Sequence, residues 1–125
     1  MLCVLFALFP ENYLCMHYMP SDTYLAYAHL SGANLTRTVL RRATLYEADL
    51  AGADLTGADL TGADLSYADL TKAKLKDAYL TSANLTGADQ TGADLTGANL
   101  KDIYLNGADP PSKHSFWAYD TYQNR

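Results

Sequence analysis

The sequence predicts an all-β solenoid, and two observations carry that prediction. From Thr23 to Gly107 a leucine falls on every fifth residue, Leu25, Leu30, Leu35 and on to Leu105, with Gln90 the one break in seventeen positions. On the same period, from 28 to 108, alanine fills fifteen of seventeen positions, Thr38 and Ile103 being the exceptions. The middle of the chain, Ala51 to Leu70, reads AGADLTGADLTGADLSYADL. Self-similarity at a fixed period is a fold signal that precedes any residue-level motif.

A five-residue period suits neither regular element. On an α-helix each step of five turns the leucine by about 140°, so no apolar stripe forms. In a flat strand residues two apart share a face, but leucines five apart alternate between faces. A chain that bends once per pentad removes the conflict. Each Ala-x-Leu then becomes a short wall with both apolar side chains inward, while the Asp or Asn between them and the pair after leucine face water. Successive coils stack at about 4.8 Å. On this reading Leu50, Leu55, Leu60, Leu65 and Leu70, with Ala53, Ala58 and Ala63, form the structural core.

The pair after leucine is the corner. Thr56-Gly57, Thr61-Gly62 and Thr86-Gly87 have the composition of a tight turn, since glycine accepts positive φ and hydroxyls bond nearby backbone. A phosphate cradle would need a helix N-terminus or a Lys-Ser/Thr pair after the glycines, and neither follows.

The unit Ala53-Asp54-Leu55-Thr56-Gly57 resembles the repeat of the pentapeptide-repeat proteins, and seventeen such pentads cover 85 of the 125 residues. The resemblance implies a right-handed quadrilateral β-helix (β-solenoid) with four walls and twenty residues per coil. Seventeen pentads then make about four coils, a rod about 20 Å tall.

On a twenty-residue pitch, outward residues form columns. His29, Asp49, Asp69, Asp89 and Asp109 make one; Asn34, Asp54, Lys74 and Asp94 the next; then Val39, Asp59, Tyr79 and Asn99; then Tyr24, Thr44, Asp64, Asn84 and Tyr104. The first column is a ladder of like charges. Neighbours about 5 Å apart in water repel by somewhat under 1 kcal/mol, so the ladder is expected to be tolerated without stabilising anything. Asp49, Asp69, Asp89 and Asp109 are the candidate interaction face. Gln90 stands at a core position, where an unpartnered amide costs roughly 1–3 kcal/mol, and is expected to be a flaw near one end of the stack. Ile103 reads as the interior opening out near that end.

The chain divides into an apolar segment at 1–22, the repeat at 23–109 and an aromatic tail at 110–125. Leu2 to Phe9 is too short to span a bilayer, and neither a basic n-region nor an A-x-A site marks a signal peptide. The segment reads as a cap on the solenoid end or as a non-native leader. Pro110 and Pro111 stop the repeat because they cannot supply ladder donors. Beyond them Phe116 and Trp117 cap the last coil or meet a second copy, making a homodimer through an end. Relatives that resemble this chain often dimerise through a C-terminal element.

At 125 residues the chain is one domain, 49% hydrophobic with a net charge of −5, hence acidic and ordered. A net-negative surface repels phosphates, so direct nucleic-acid binding is disfavoured. Cys3 and Cys15 lack metal-type spacing, and the aspartates do not follow the nine-residue calcium unit. No metal and no cofactor are expected. His17, His29 and His114 lie in separate parts of the chain, no catalytic motif appears, and a narrow interior of Leu and Ala leaves no substrate pocket. Flat-face ice binding fails because Arg41, Tyr46, Ala51 and Lys76 interrupt the Thr columns.

These readings converge on a non-catalytic structural or protein-interaction module, cytoplasmic, with a protein partner and no membrane span. The alternative comes from the resemblance: some relatives are acidic dimeric rods that occupy the DNA-binding saddle of DNA gyrase and protect it from quinolones. This chain departs from those in having about half the coils, no interrupting loop, and eleven acids interleaved with seven bases between Thr23 and Asp109, a net of −4. That is a weak phosphate-like field.

Overall fold

The structure is a computed structural model that describes residues 21–110. The expectations for residues 1–20 and 111–125, including the caps and the end-to-end dimer, lie outside the described residues.

Fourteen parallel bridges join residues twenty apart, from Tyr24 with Thr44 to Asp89 with Asp109. Four pentads thus complete one circuit before the chain lies beside itself again. The bridged residues fall into four columns, the first running through His29, Asp49, Asp69, Asp89 and Asp109, and the fourth through Tyr24, Thr44, Asp64, Asn84 and Tyr104.

Among the described residues no strand exceeds a single bridged residue. The all-β expectation is met only in this reduced form, and the reason is spacing. Only three residues separate one turn from the next, so a second consecutive bridge has no room.

The turns close with a hydrogen bond from the small residue to the carbonyl three residues before it, as from Ala58 N to Leu55 O at 2.9 Å, the turn before Ile103 being the exception. Their third residue always has positive φ, the mark of a type II turn. All eight glycines of the chain sit there, Gly57 at +66° for example. Ten other residues take the same conformation without glycine's freedom, among them Tyr27, Glu47, Tyr67 and Ser82. None of the ten is β-branched, in keeping with the severe crowding such side chains meet at positive φ.

One pentad accounts for all its amide donors. Leu55 N donates to Lys74 O at 2.7 Å, Gly57 N to Lys76 O at 2.8 Å, Ala58 N to Leu55 O at 2.9 Å, and Asp59 N to Thr38 O at 2.9 Å. The fifth, Thr56 N, donates to the side-chain Oδ1 of Asp54 at 3.1 Å. No amide is left over, which a tightly wound backbone requires.

The interior is leucine and alanine throughout. Leu50, Leu55, Leu60, Leu65, Leu70, Ala53, Ala58 and Ala63 are each 0% exposed. Burying a leucine contributes on the order of 2 kcal/mol, so the repeat is held chiefly by this column of apolar side chains. Two polar groups interrupt it. Gln90 points inward and is buried, and Thr38 is buried too; among the described residues neither Gln90 Nε2 nor Thr38 Oγ1 has a hydrogen-bond partner. Ile103 and Leu105, nearer the end of the repeat, are only partly buried.

Candidate functional site: the acidic column and its tyrosine edge

The aspartate at the centre of a pentad has a local task. Asp49 Oδ1 accepts the amide hydrogen of Ala51 at 3.1 Å, Asp69 Oδ1 that of Thr71 at 2.9 Å, and Asp89 Oδ1 that of Thr91 at 2.9 Å. Asn34, Asn84 and Asn99 serve the same position with their amide oxygens. This is an Asx turn, the bond that Asp and Asn make best because their oxygen reaches the backbone two residues on. Where Val39, Lys74 or Tyr79 stands instead, no side chain among the described residues takes the amide of Arg41, Lys76 or Thr81.

The expectation that the column is merely tolerated is therefore corrected: each of Asp49, Asp69 and Asp89 supplies one backbone bond of the turn beside it. Asp109 bridges to Asp89, but the residue two further on is Pro111, which has no amide hydrogen to offer. The other carboxylate oxygen, Oδ2, of Asp49 and Asp69 is in no hydrogen bond or ion pair with the described residues.

Hydrogen bonds to the charged form favour it. The Thr91 side chain and backbone hold the Asp89 carboxyl below the ordinary carboxylate value, and Thr96 does the same for Asp94, where burial opposes and nearby Lys76 helps. At Asp54 burial pushes upward but is outweighed by the bonds from Thr56 and the Lys74 ammonium. At Asp59 burial is outweighed in the same way by Thr61 and Arg41.

Charge is unevenly divided. From the fourth column through the following turn to the first column stand six acids, Asp64, Glu47, Asp49, Asp69, Asp89 and Asp109, and no lysine or arginine, a formal −6. The rest of residues 21–110 carries six acids and seven bases, a formal +1. All three ion pairs among the described residues lie in that second part: Arg41 with Asp59, Arg42 with Asp22, and Lys74 with Asp54. Lys72, in the turn after the first column, pairs with none of its carboxylates.

Sequence reasoning missed the tyrosines of the intervening turn. Tyr27 and Tyr46 meet edge to face with centroids 5.6 Å apart, and Tyr46 meets Tyr67 in the same way at 5.8 Å. Tyr27 and Tyr67 lie forty residues apart, two circuits on one column, while Tyr46 occupies the neighbouring turn position. Folding the turn positions on the same pitch as the walls was the available signal. Among the described residues no group of three or more His, Cys, Asp and Glu side chains could hold a metal ion. No helix among them is long and apolar enough to cross a membrane.

A repeated pentad with leucine inside, a positive-φ turn and an Asx bond defines a class of protein, and comparison with known families agrees. A family model described as pentapeptide repeats, in eight copies, matches residues 21–57, 40–77 and 73–109. The chain belongs to the pentapeptide-repeat family. Among solved structures it is similar to HetL, a pentapeptide repeat protein involved in heterocyst differentiation regulation from the cyanobacterium Nostoc sp. strain PCC 7120. Identity is 48% over 69% of this chain and 40% of that one, with a TM-score of 0.68. It is also similar to a pentapeptide repeat protein from the Arabidopsis thaliana thylakoid lumen, 35% identical over 79% of this chain and 71% of that one, TM-score 0.71. Comparison with curated proteins gave no match.

Proposed function

We propose that this chain is a non-catalytic structural and protein-interaction module, built as a right-handed quadrilateral β-helix of about four coils. The twenty-residue register of the bridges and the membership of the family support that architecture. The repeat at 23–109, flanked by end segments at 1–22 and 110–125, a homodimer through one end and a cytoplasmic location belong to the same proposal.

One observation carries the functional reading. A full pentad bonds all five of its amides within the repeat, four to backbone carbonyls and one to the outward Asp, and its inward side chains are wholly enclosed, so of its outward side chains the fold takes up only that one acceptor oxygen. Those side chains are what a protein partner can read, and no cofactor enters the scheme. The candidate face is the column of Asp49, Asp69, Asp89 and Asp109.

The DNA-mimic alternative has one feature in its favour, the side of the described repeat with six acids and no lysine or arginine. Its partner would be DNA gyrase or another topoisomerase. Cross-linking and pull-down from the native host, with a gyrase supercoiling assay beside them, decide between the two. A protein partner recovered by wild type and retained in the presence of competing DNA supports the interaction module. Inhibition of supercoiling by wild type, lost in Asp69→Asn/Asp89→Asn, replaces it with the DNA mimic. Recovery of no partner at micromolar protein overturns both.

A further inference from the structure

We propose that the edge formed by Tyr27, Tyr46 and Tyr67, beside the first column, docks an arginine-bearing segment of a partner protein. The proposal rests on the interaction-module reading and names the surface and the chemistry of its partner.

Tyr27 and Tyr67 are 59% and 58% exposed, and Tyr46 links them through edge-to-face contacts of 82° and 74°. The contacts tie three rings into a continuous strip before anything binds. Holding aromatic side chains in one arrangement lowers the ordering cost that a partner would otherwise meet. The strip extends over Gly87, where a Cβ would lie only 2.6 Å from the Tyr67 ring. An aromatic strip with two of its three rings more than half exposed has the composition of an interface core.

The surroundings select the occupant. The strip lies between the fourth column, with exposed Tyr24 and half-buried Asp64, and the first, with Asp49, Asp69 and Asp89. Six acids and no lysine or arginine occupy this part of the repeat, while the bases elsewhere are partly engaged in ion pairs of their own. A polyanion such as nucleic acid is repelled here. A cation is attracted, and of the two basic side chains arginine matches both features. Its planar guanidinium stacks on a tyrosine ring and presents a fork of donors to the carboxylate oxygens that the turns leave unused. A lysine ammonium would meet the charge but gain less from the rings.

The test uses the full chain and two labelled peptides of equal charge, nine arginines and nine lysines, titrated by fluorescence anisotropy. The arginine peptide is expected to bind about fivefold more tightly, the difference that one or two exposed cation–π contacts provide. Tyr27→Ser/Tyr46→Ser/Tyr67→Ser should bring the arginine peptide down to the affinity of the lysine peptide and leave the latter unchanged. Asp69→Asn/Asp89→Asn, which keeps the turn bonds, should weaken both peptides and flatten their salt dependence. If the triple variant melts early, Tyr27→Ser alone is read in its place and should remove part of the arginine preference. Equal affinities for the two peptides, or a preference that survives the tyrosine substitutions, overturn the proposal. A partner cross-linked in the host that binds wild type and the tyrosine variant alike would sink the arginine edge and leave the interaction module standing.

Discussion

The ring of Tyr67 occupies the space into which a side chain at Gly87, twenty residues on, would project: a Cβ there would lie 2.6 Å from both Cδ1 and Cε1. Gly52 holds the same turn position, at φ +66° against +67°, with nothing within 4 Å of where its Cβ would be. The two glycines therefore share a backbone requirement and differ only in their neighbour. Gly52→Ala should cost about 1 kcal/mol, the left-handed penalty alone. Gly87→Ala should cost about 1 kcal/mol more, as the ring must swing away, and should alter the near-UV circular dichroism of the tyrosines. Equal losses in urea denaturation, with unchanged spectra, would show that Tyr67 does not rest there.

Asp69 separates two roles of a carboxylate, its charge and its acceptor oxygen. Asp69→Asn keeps the bond to Thr71 N and removes the charge, so stability should hold within about 0.5 kcal/mol. Asp69→Ala and Asp69→Lys both lose the acceptor and should cost about 1 kcal/mol. A lysine variant more stable than wild type would mean that like-charge repulsion along the column outweighs the turn bond.

Much of this was legible because the core and the corners obey separate chemical rules at fixed spacing. Leu60 and Ala58 announce an inward wall, and Thr61-Gly62 a turn, without reference to any distant residue. The bond from Thr61 N to Asp59 Oδ1 was legible in principle, since aspartate recurs two residues before a turn amide, but charge and exposure alone point to a solvated carboxylate there. The tyrosine strip was harder. Tyr27, Tyr46 and Tyr67 come together only through the twenty-residue register, and Tyr46 sits one position out of their column. Which of several outward features a partner reads is not set by the repeat, because the fold asks of those positions only a turn acceptor or a positive φ and leaves the rest of the side chain unspecified.

Acid should weaken the protein through the same aspartates. The Asp54, Asp59, Asp89 and Asp94 carboxyls are held below their ordinary value of 3.8 in the folded chain. A group whose folded pKa is depressed contributes stability that is fully present above the unfolded value and is lost as pH falls through the folded one. The melting temperature should thus stay level between about pH 7 and 5 and drop below about pH 4. A melting temperature that rises on acidification would make repulsion among the aspartates the larger effect.

Two buried polar groups offer stabilising substitutions. Gln90 is 1% exposed and Thr38 0%, and among the described residues Gln90 Nε2 and Thr38 Oγ1 have no hydrogen-bond partner. A buried donor without an acceptor loses its hydration and gains nothing in return, a cost of about 1–3 kcal/mol. Gln90→Leu restores the leucine of the repeat at similar volume, and Thr38→Val removes the hydroxyl while keeping the branched shape. Each should raise stability by about 1 kcal/mol, with Gln90→Leu the larger gain because it also extends the buried apolar surface. The positions lie in different circuits, so the gains should add in the double variant. A loss of stability in Gln90→Leu, with a gain in Thr38→Val, would mean that the Gln90 amide is bonded to something beyond residues 21–110, and the same substitution would then report on that contact.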